Sequence, residues 1–217
     1  ILIIVLTIKK QWFFDKINAF AEKPKYSSKT TVQKPNKLLV NVIFFFMPLY
    51  CAICGIKVKI KNNCGEKIKG PAIVLCNHGS FIDFAYAGTM LKEHSPNFVV
   101  ARLYFFKRLY RNILRSFGCF PKSMFAMDIE STKNSRKVLR EGGLLTMMPE
   151  ARLSTTGRFE DIQEGTYAFL KKANVPIYSI KINGDYFASP KWGNGLRRGS
   201  YIESEIDILF TKEELAA

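Results

Sequence analysis

Short apolar runs that stop at turn or helix-start residues recur along this chain, and they constrain its fold more than any other feature. Residues 73–76 (IVLC), 98–101 (FVVA), 144–148 (LLTMM) and 175–183 (VPIYSIKIN) read as strands, the first and third of them buried. Pro176 falls at the start of its run, where a strand tolerates proline. Residues 58–60 and 204–210 alternate enough to add a first and a last strand. Between the runs, residues 81–91, 103–117, 131–141 and 164–174 read as helices, the third ended by Gly142–Gly143. This alternation predicts an α/β fold built on a mostly parallel sheet. At 217 residues the chain can bury one good core, which suits a single α/β domain with an appendage.

The charge balance points to an anionic partner. The net charge is +15, and residues 1–61 hold eleven lysines against Asp15 and Glu22. Nucleic acid and an acidic membrane surface both fit such a charge. No recognised nucleic-acid module is visible, and much of the charge surrounds an apolar stretch, so a nucleic-acid partner is not expected. That stretch, residues 38–56 (LLVNVIFFFMPLYCAICGI), has the length of a hydrophobic helix with a proline kink at Pro48. Flanking lysines suit anchoring to anionic headgroups, either across or half within the bilayer; a core helix inside a basic arm is the alternative. Upstream, residues 1–8 are apolar but too short to span, residues 9–20 mix bases and aromatics as an interfacial helix does, and residues 21–37 read as a linker. Residues 1–56 therefore divide off as a membrane-associating segment, and residues 57–217 as the domain proper. Five irregularly spaced cysteines read as small hydrophobes in a reducing compartment, and no metal site is expected from them.

The chemistry concentrates where the first central strand ends. Asn77–His78–Gly79–Ser80 follow the apolar run, and Asp83 lies five residues after His78. Residues five apart do not share a helix face. The pair meets if His78 precedes the helix and Asp83 stands in its first turn. Asp83 then accepts from one imidazole nitrogen and leaves the other to take a proton. For an isolated pair, a helix-capping turn with a partly buried histidine is the commoner outcome. Downstream, Glu150 and Arg152 directly follow another strand, where arginine suits a phosphate. Residues 103–117 carry Lys107, Arg111 and Arg115 on one stripe, fit either for lipid or carrier phosphates or for solvent.

Four blocks carry a resemblance: NHGSFID, GCFPKS, PEARLS and VPIYSIKING, in that order between residues 77 and 184. They resemble the lysophosphatidic acid acyltransferase family of glycerolipid acyltransferases, with its N-H-x-x-x-x-D, its glycine-led basic block, its F-P-E-G-T-R-S and its V-P-hydrophobic block. The resemblance implies an αβα sandwich around a mostly parallel sheet, often with an amino-terminal helical anchor. It implies His78 as general base, oriented by Asp83, with direct attack of a glycerol hydroxyl on the thioester of acyl-CoA or acyl-carrier protein. Glu150 and basic residues of the second and third blocks would hold a phosphate-bearing lysophospholipid, typically 1-acylglycerol-3-phosphate. It implies no cofactor, and together with the charge it implies membrane association at the cytoplasmic face.

The departures bear on the acceptor. The third block has Met148 before its proline and Ala151 where the family usually has glycine. Leu153 stands at the usual arginine position, with Arg152 one place early. The second block ends in Lys122–Ser123 instead of the usual Asp–Arg. The charge for a phosphate must then come from Arg152, Lys122 or Arg158, and another lysophospholipid or hydroxyl lipid stays open as acceptor. A lipid-binding relative without turnover also fits the charge and the apolar stretch.

Overall fold

The computed structural model describes residues 31–64, 68–123, 128–162, 164–191, 193 and 196–216. The expectations for residues 1–30 lie outside the described residues. Seven strands form one sheet: β1 (Lys57–Asn62), β2 (Ala72–Cys76), β3 (Asn97–Ala101), β4 (Phe120–Lys122), β5 (Leu144–Met147), β6 (Ile177–Asn183) and β7 (Tyr201–Phe210). Their spatial order is β1-β7-β6-β2-β5-β3-β4. All neighbouring pairs are parallel except β6 with β7. The expected α/β class with a mostly parallel sheet is thus what the chain adopts.

The all-apolar reading of the central runs has a direct physical cause. Strand β2 pairs on both sides, with β5 and with β6, and every residue of it is buried. Its side chains alternate between two separate cores. Ala72, Val74 and Cys76 join the cluster that holds Tyr86, Leu91 and Phe105, whereas Ile73 and Leu75 join the cluster that holds Val138, Leu139 and Leu170. The first face is covered by α1 (Lys37–Ile53) and α2 (Asp83–Met90), the second by α4 (Ile129–Arg140) and α5 (Glu164–Ala173). Helix α3 (Arg108–Ser116) lies between β3 and β4 in the chain, α6 (Asp185–Ala188) follows β6, and α7 (Lys212–Ala216) follows β7.

Helix α1 begins at Asn36, whose side chain accepts from the Leu39 amide at 3.1 Å. It packs through Val40, Phe44, Met47 and Cys51, all buried. Phe44 lies directly on Gly88 of α2, where a Cβ would fall 2.1 Å from Phe44 Cζ, and it meets the Phe117 ring edge-on at 5.8 Å. The residues 38–56 thus share the core of the domain on one face. Leu38, Val42, Phe45, Phe46, Leu49 and Ile53 on the other face are exposed. Among the described residues, no helix is long and apolar enough to cross a membrane.

Two local expectations are corrected. The sequence GCFPKS of residues 118–123 reads as a short turn, but residues 120–122 form β4, because Phe120 is buried and pairs in register with Val99 at the sheet edge. The Asn97 side chain locks that approach by donating to the Gly118 carbonyl at 2.8 Å. Residues 103–117 are not one helix. A 3₁₀ turn spans Arg102–Phe105, and α3 starts only after Lys107, whose backbone is extended. The break lets Phe105 point fully into the core while the basic stripe stays near the surface.

Candidate active site

The carboxyl ends of β6, β2 and β5 lie side by side, so the residues that follow them converge. A cavity of about 300 Å³ opens there, lined by Asn77, His78, Glu150, Arg158, Asp185 and Tyr186 among others. Asn77 continues the sheet with its side chain: Nδ2 donates to the Ile182 carbonyl at 2.9 Å, and Oδ1 accepts from the Ile182 amide at 2.7 Å. This double hydrogen bond fixes the chain direction just before His78.

His78 precedes α2, and Asp83 is its first residue, so the five-residue spacing closes as expected. His78 Nδ1 lies 3.1 Å from Asp83 Oδ2. The same Oδ2 accepts the Ser80 amide at 2.8 Å. A carboxylate facing Nδ1 requires the proton on that nitrogen, which leaves Nε2 as the basic atom on the cavity side. Asp83 is fully buried, and burial pushes its carboxyl well above the usual range, against the Ser80 amide that favours its charged form. Burial pushes the His78 imidazole down to about 4, opposed by the nearby Glu150 and Asp185 carboxyls. The ring keeps 26% exposure toward the cavity, so water softens that shift.

Glu150 is buried after β5, and its Oε1 accepts the His78 amide at 3.4 Å. The Ser154 amide donates to the His78 carbonyl at 2.8 Å, a second tie between the PEARLS loop and the histidine loop. Ala151, where the family usually has glycine, has φ +56, a left-handed conformation that favours glycine and explains that usage. Downstream, the Ser154 hydroxyl donates to the Arg158 carbonyl and accepts from the Gly157 amide, both at 2.9 Å. This clamp turns the chain so that Arg158 reaches the cavity. Its guanidinium has no carboxylate partner among the described residues.

His78, Asp83, Glu150 and Arg158 are therefore brought together, and the other two candidate residues are not. Arg152 is exposed and paired with Glu160, away from the cavity lining. Lys122 stands at the end of β4, its ammonium 3.5 Å from the Ser123 carbonyl, and does not line the cavity. Sequence reading missed Asp185, a buried acid directly after the Gly184 turn. The available signal was its place at the carboxyl end of a strand, the same rule that singled out His78.

This is a single α/β domain in which an imidazole, buried carboxyls and a guanidinium meet past the ends of parallel strands. The family model described as "Acyltransferase" matches residues 55–183, and the chain belongs to that family. The fold is similar to that of the 1-acyl-sn-glycerophosphate acyltransferase PlsC from Thermotoga maritima. That crystal structure is 17% identical in sequence, matches with a TM-score of 0.67, and covers 99% of this chain and 86% of its own. No curated protein sequence matched. The resemblance carried by the four blocks is borne out at the level of the family.

The lowered His78 basicity sets a pH dependence for any reaction that uses Nε2 as base. The ring must be neutral, so activity is lost as pH falls through its pKa. A pH–rate profile is expected to show its acid limb between the value of about 4 and the ordinary 6.5. A limb at or above 6.5 would contradict this electrostatic picture.

Proposed function

We propose that the chain transfers a fatty acyl group from an acyl thioester, acyl-CoA or acyl-carrier protein, to the hydroxyl of a lysophospholipid, with 1-acylglycerol-3-phosphate the favoured acceptor. The observation that carries this reading is the His78 ring, tied through Nδ1 to buried Asp83 and facing a cavity that also holds Arg158. His78 Nε2 takes the hydroxyl proton as the acceptor oxygen attacks the thioester carbonyl. The carbon–oxygen bond forms, the carbon–sulfur bond breaks, and the departing thiolate takes the proton back from the imidazolium. Asp83 holds the ring in place and stabilises its transient positive charge. General-base help of this kind contributes roughly 10²–10⁴-fold.

Leu153 cannot bind phosphate, and Arg158, five residues further on, supplies the charge instead. Its planar fork suits the oxygens of a phosphomonoester. Arg152 is engaged by Glu160, which favours Arg158 over it. Another lysophospholipid with an accessible phosphate meets the same recognition.

The exposed apolar face of α1 supports membrane association. Its residues recur at positions 38, 42, 45, 46, 49 and 53, a stripe along one side of the helix. Lys92 sits over the Phe45 ring, 5.8 Å from its centroid, at the level where anionic headgroups would lie. Such a helix lies in the interface at the cytoplasmic face, bringing the cavity to lipid substrates.

Three measurements test this reading. His78→Ala is expected to abolish thiol release from an acyl thioester in the presence of lysophospholipid while leaving the circular dichroism spectrum unchanged; full activity would sink the mechanism. Arg158→Ala is expected to raise KM for a phosphate-bearing acceptor about tenfold, the loss of a charge-assisted hydrogen bond, and equal KM values would remove Arg158 from recognition. Replacing Phe45 and Phe46 by Asp is expected to shift the protein from anionic vesicles to the supernatant in co-sedimentation; undiminished binding would exclude the α1 face as the anchor.

A further inference from the structure

Asp185 has no part in the four sequence blocks, yet it is buried against the center of the site. It opens the short helix after β6, behind Gly184, whose φ is +84. Its carboxyl presses on the backbone between His78 and Ser80: a Cβ on Gly79 would fall 2.4 Å from Asp185 Oδ2. Asp83 holds the next residue of the same loop through the Ser80 amide, so the two carboxyls flank adjoining backbone and raise each other electrostatically. Asp83 Oδ1 and Asp185 Oδ2 are both buried, and neither receives a hydrogen from any N–H or hydroxyl donor among the described residues. Two buried carboxyls this close do not both ionise, so the pair retains a proton, and the two unpartnered oxygens are where it can be shared.

The surroundings decide which acid carries it. Asp83 receives the Ser80 amide and faces His78 Nδ1, both of which favour its charged form. Asp185 has the backbone amides at the start of its own short helix nearby, and its Oδ2 has no donor. We propose that Asp185 is a positioning residue: as a neutral acid it donates its proton to Asp83 Oδ1, so that Asp83 stays anionic, is held on both oxygens, and keeps His78 in the Nδ1–H form. Burial pushes both acids up, Asp185 to about 8, so the pair keeps a proton near pH 7, and the Ser80 amide and His78 Nδ1 on Asp83 place it on Asp185. The other titratable groups around the pair are His78, Glu150 after β5, Cys76 on β2, Tyr86 on α2 and Lys191 beyond Asp185. Burial holds Cys76 and Tyr86 protonated through this range. Above its pKa, Asp185 loses the proton it donates and places a second buried anion against Asp83.

Nitrogen-15 NMR of the histidine rings in the full chain tests this without turnover. The chain has two histidines, so a His94→Gln variant assigns His78. The wild-type His78 signals are expected to report the Nδ1–H form near pH 7 and to shift with a midpoint near 8. Asp185→Asn keeps a donor but cannot ionise; it is expected to retain the Nδ1–H form and lose the step near 8. Asp185→Leu removes the donor, and is expected to mix the two ring forms and lower kcat about tenfold with KM unchanged. A step near 8 that persists in Asp185→Asn overturns the proposal, as does an unchanged ring form with unchanged kcat in Asp185→Leu. The kinetic arm rests on His78 being the base. Absence of acyl transfer in the wild type, with the NMR step present, sinks the acyltransfer reading and supports this one.

Discussion

The two-sided pairing of β2 is the constraint on which the site depends. Because β6 and β5 flank β2 in parallel, three loops leave the same edge of the sheet side by side. One supplies His78 and Asp83, the second Glu150 and Arg158, the third Asp185. Buried parallel strands make this possible, since both faces of β2 are sealed by separate cores and the strand cannot slip by a residue without exchanging the side chains of the two cores. The Asn77 side chain then adds one more rung toward β6, so the histidine loop inherits the rigidity of the sheet.

Within this frame the electrostatics are unusual. Three acids, Asp83, Glu150 and Asp185, are buried around one imidazole. Water cannot stabilise three charges there, so burial raises the carboxyls and lowers the imidazole. A neutral histidine with a committed Nδ1 follows from the same desolvation that makes the acids costly. The loops also fasten one another through backbone groups, as when Glu150 and Ser154 bind the amide and carbonyl of His78. That spares the His78 ring for the cavity.

Helix α1 divides its residues between two environments. Phe44 is buried against Gly88, a contact that no larger residue at position 88 would permit. Its neighbours Phe45 and Phe46 are exposed. A continuous apolar run conceals this division, because periodicity is unreadable when nearly every position is apolar. The same limit applied to residues 120–122, whose strand character comes only from pairing with β3 at the sheet edge. It also applied to the break at Lys107, where burial of Phe105 overrode a continuous helical pattern.

The alternation of apolar runs and helical segments determined the α/β class, and the spacing of His78 and Asp83 determined their contact, because a five-residue separation closes within one loop and the first turn of a helix. Only the tertiary structure decided which cation reaches the site. Arg152, Arg158 and Lys122 were equivalent as charges in the sequence, yet Glu160 engages the first, the Ser154 clamp brings the second to the cavity, and the third ends an edge strand. Asp185 likewise gained its meaning from strand order, since it meets Gly79 and Asp83 from more than a hundred residues away. Local pattern records periodicity and near-neighbour hydrogen bonds. Contacts across the sheet depend on which strands lie together, and that is settled by the burial of whole faces and not by any one segment.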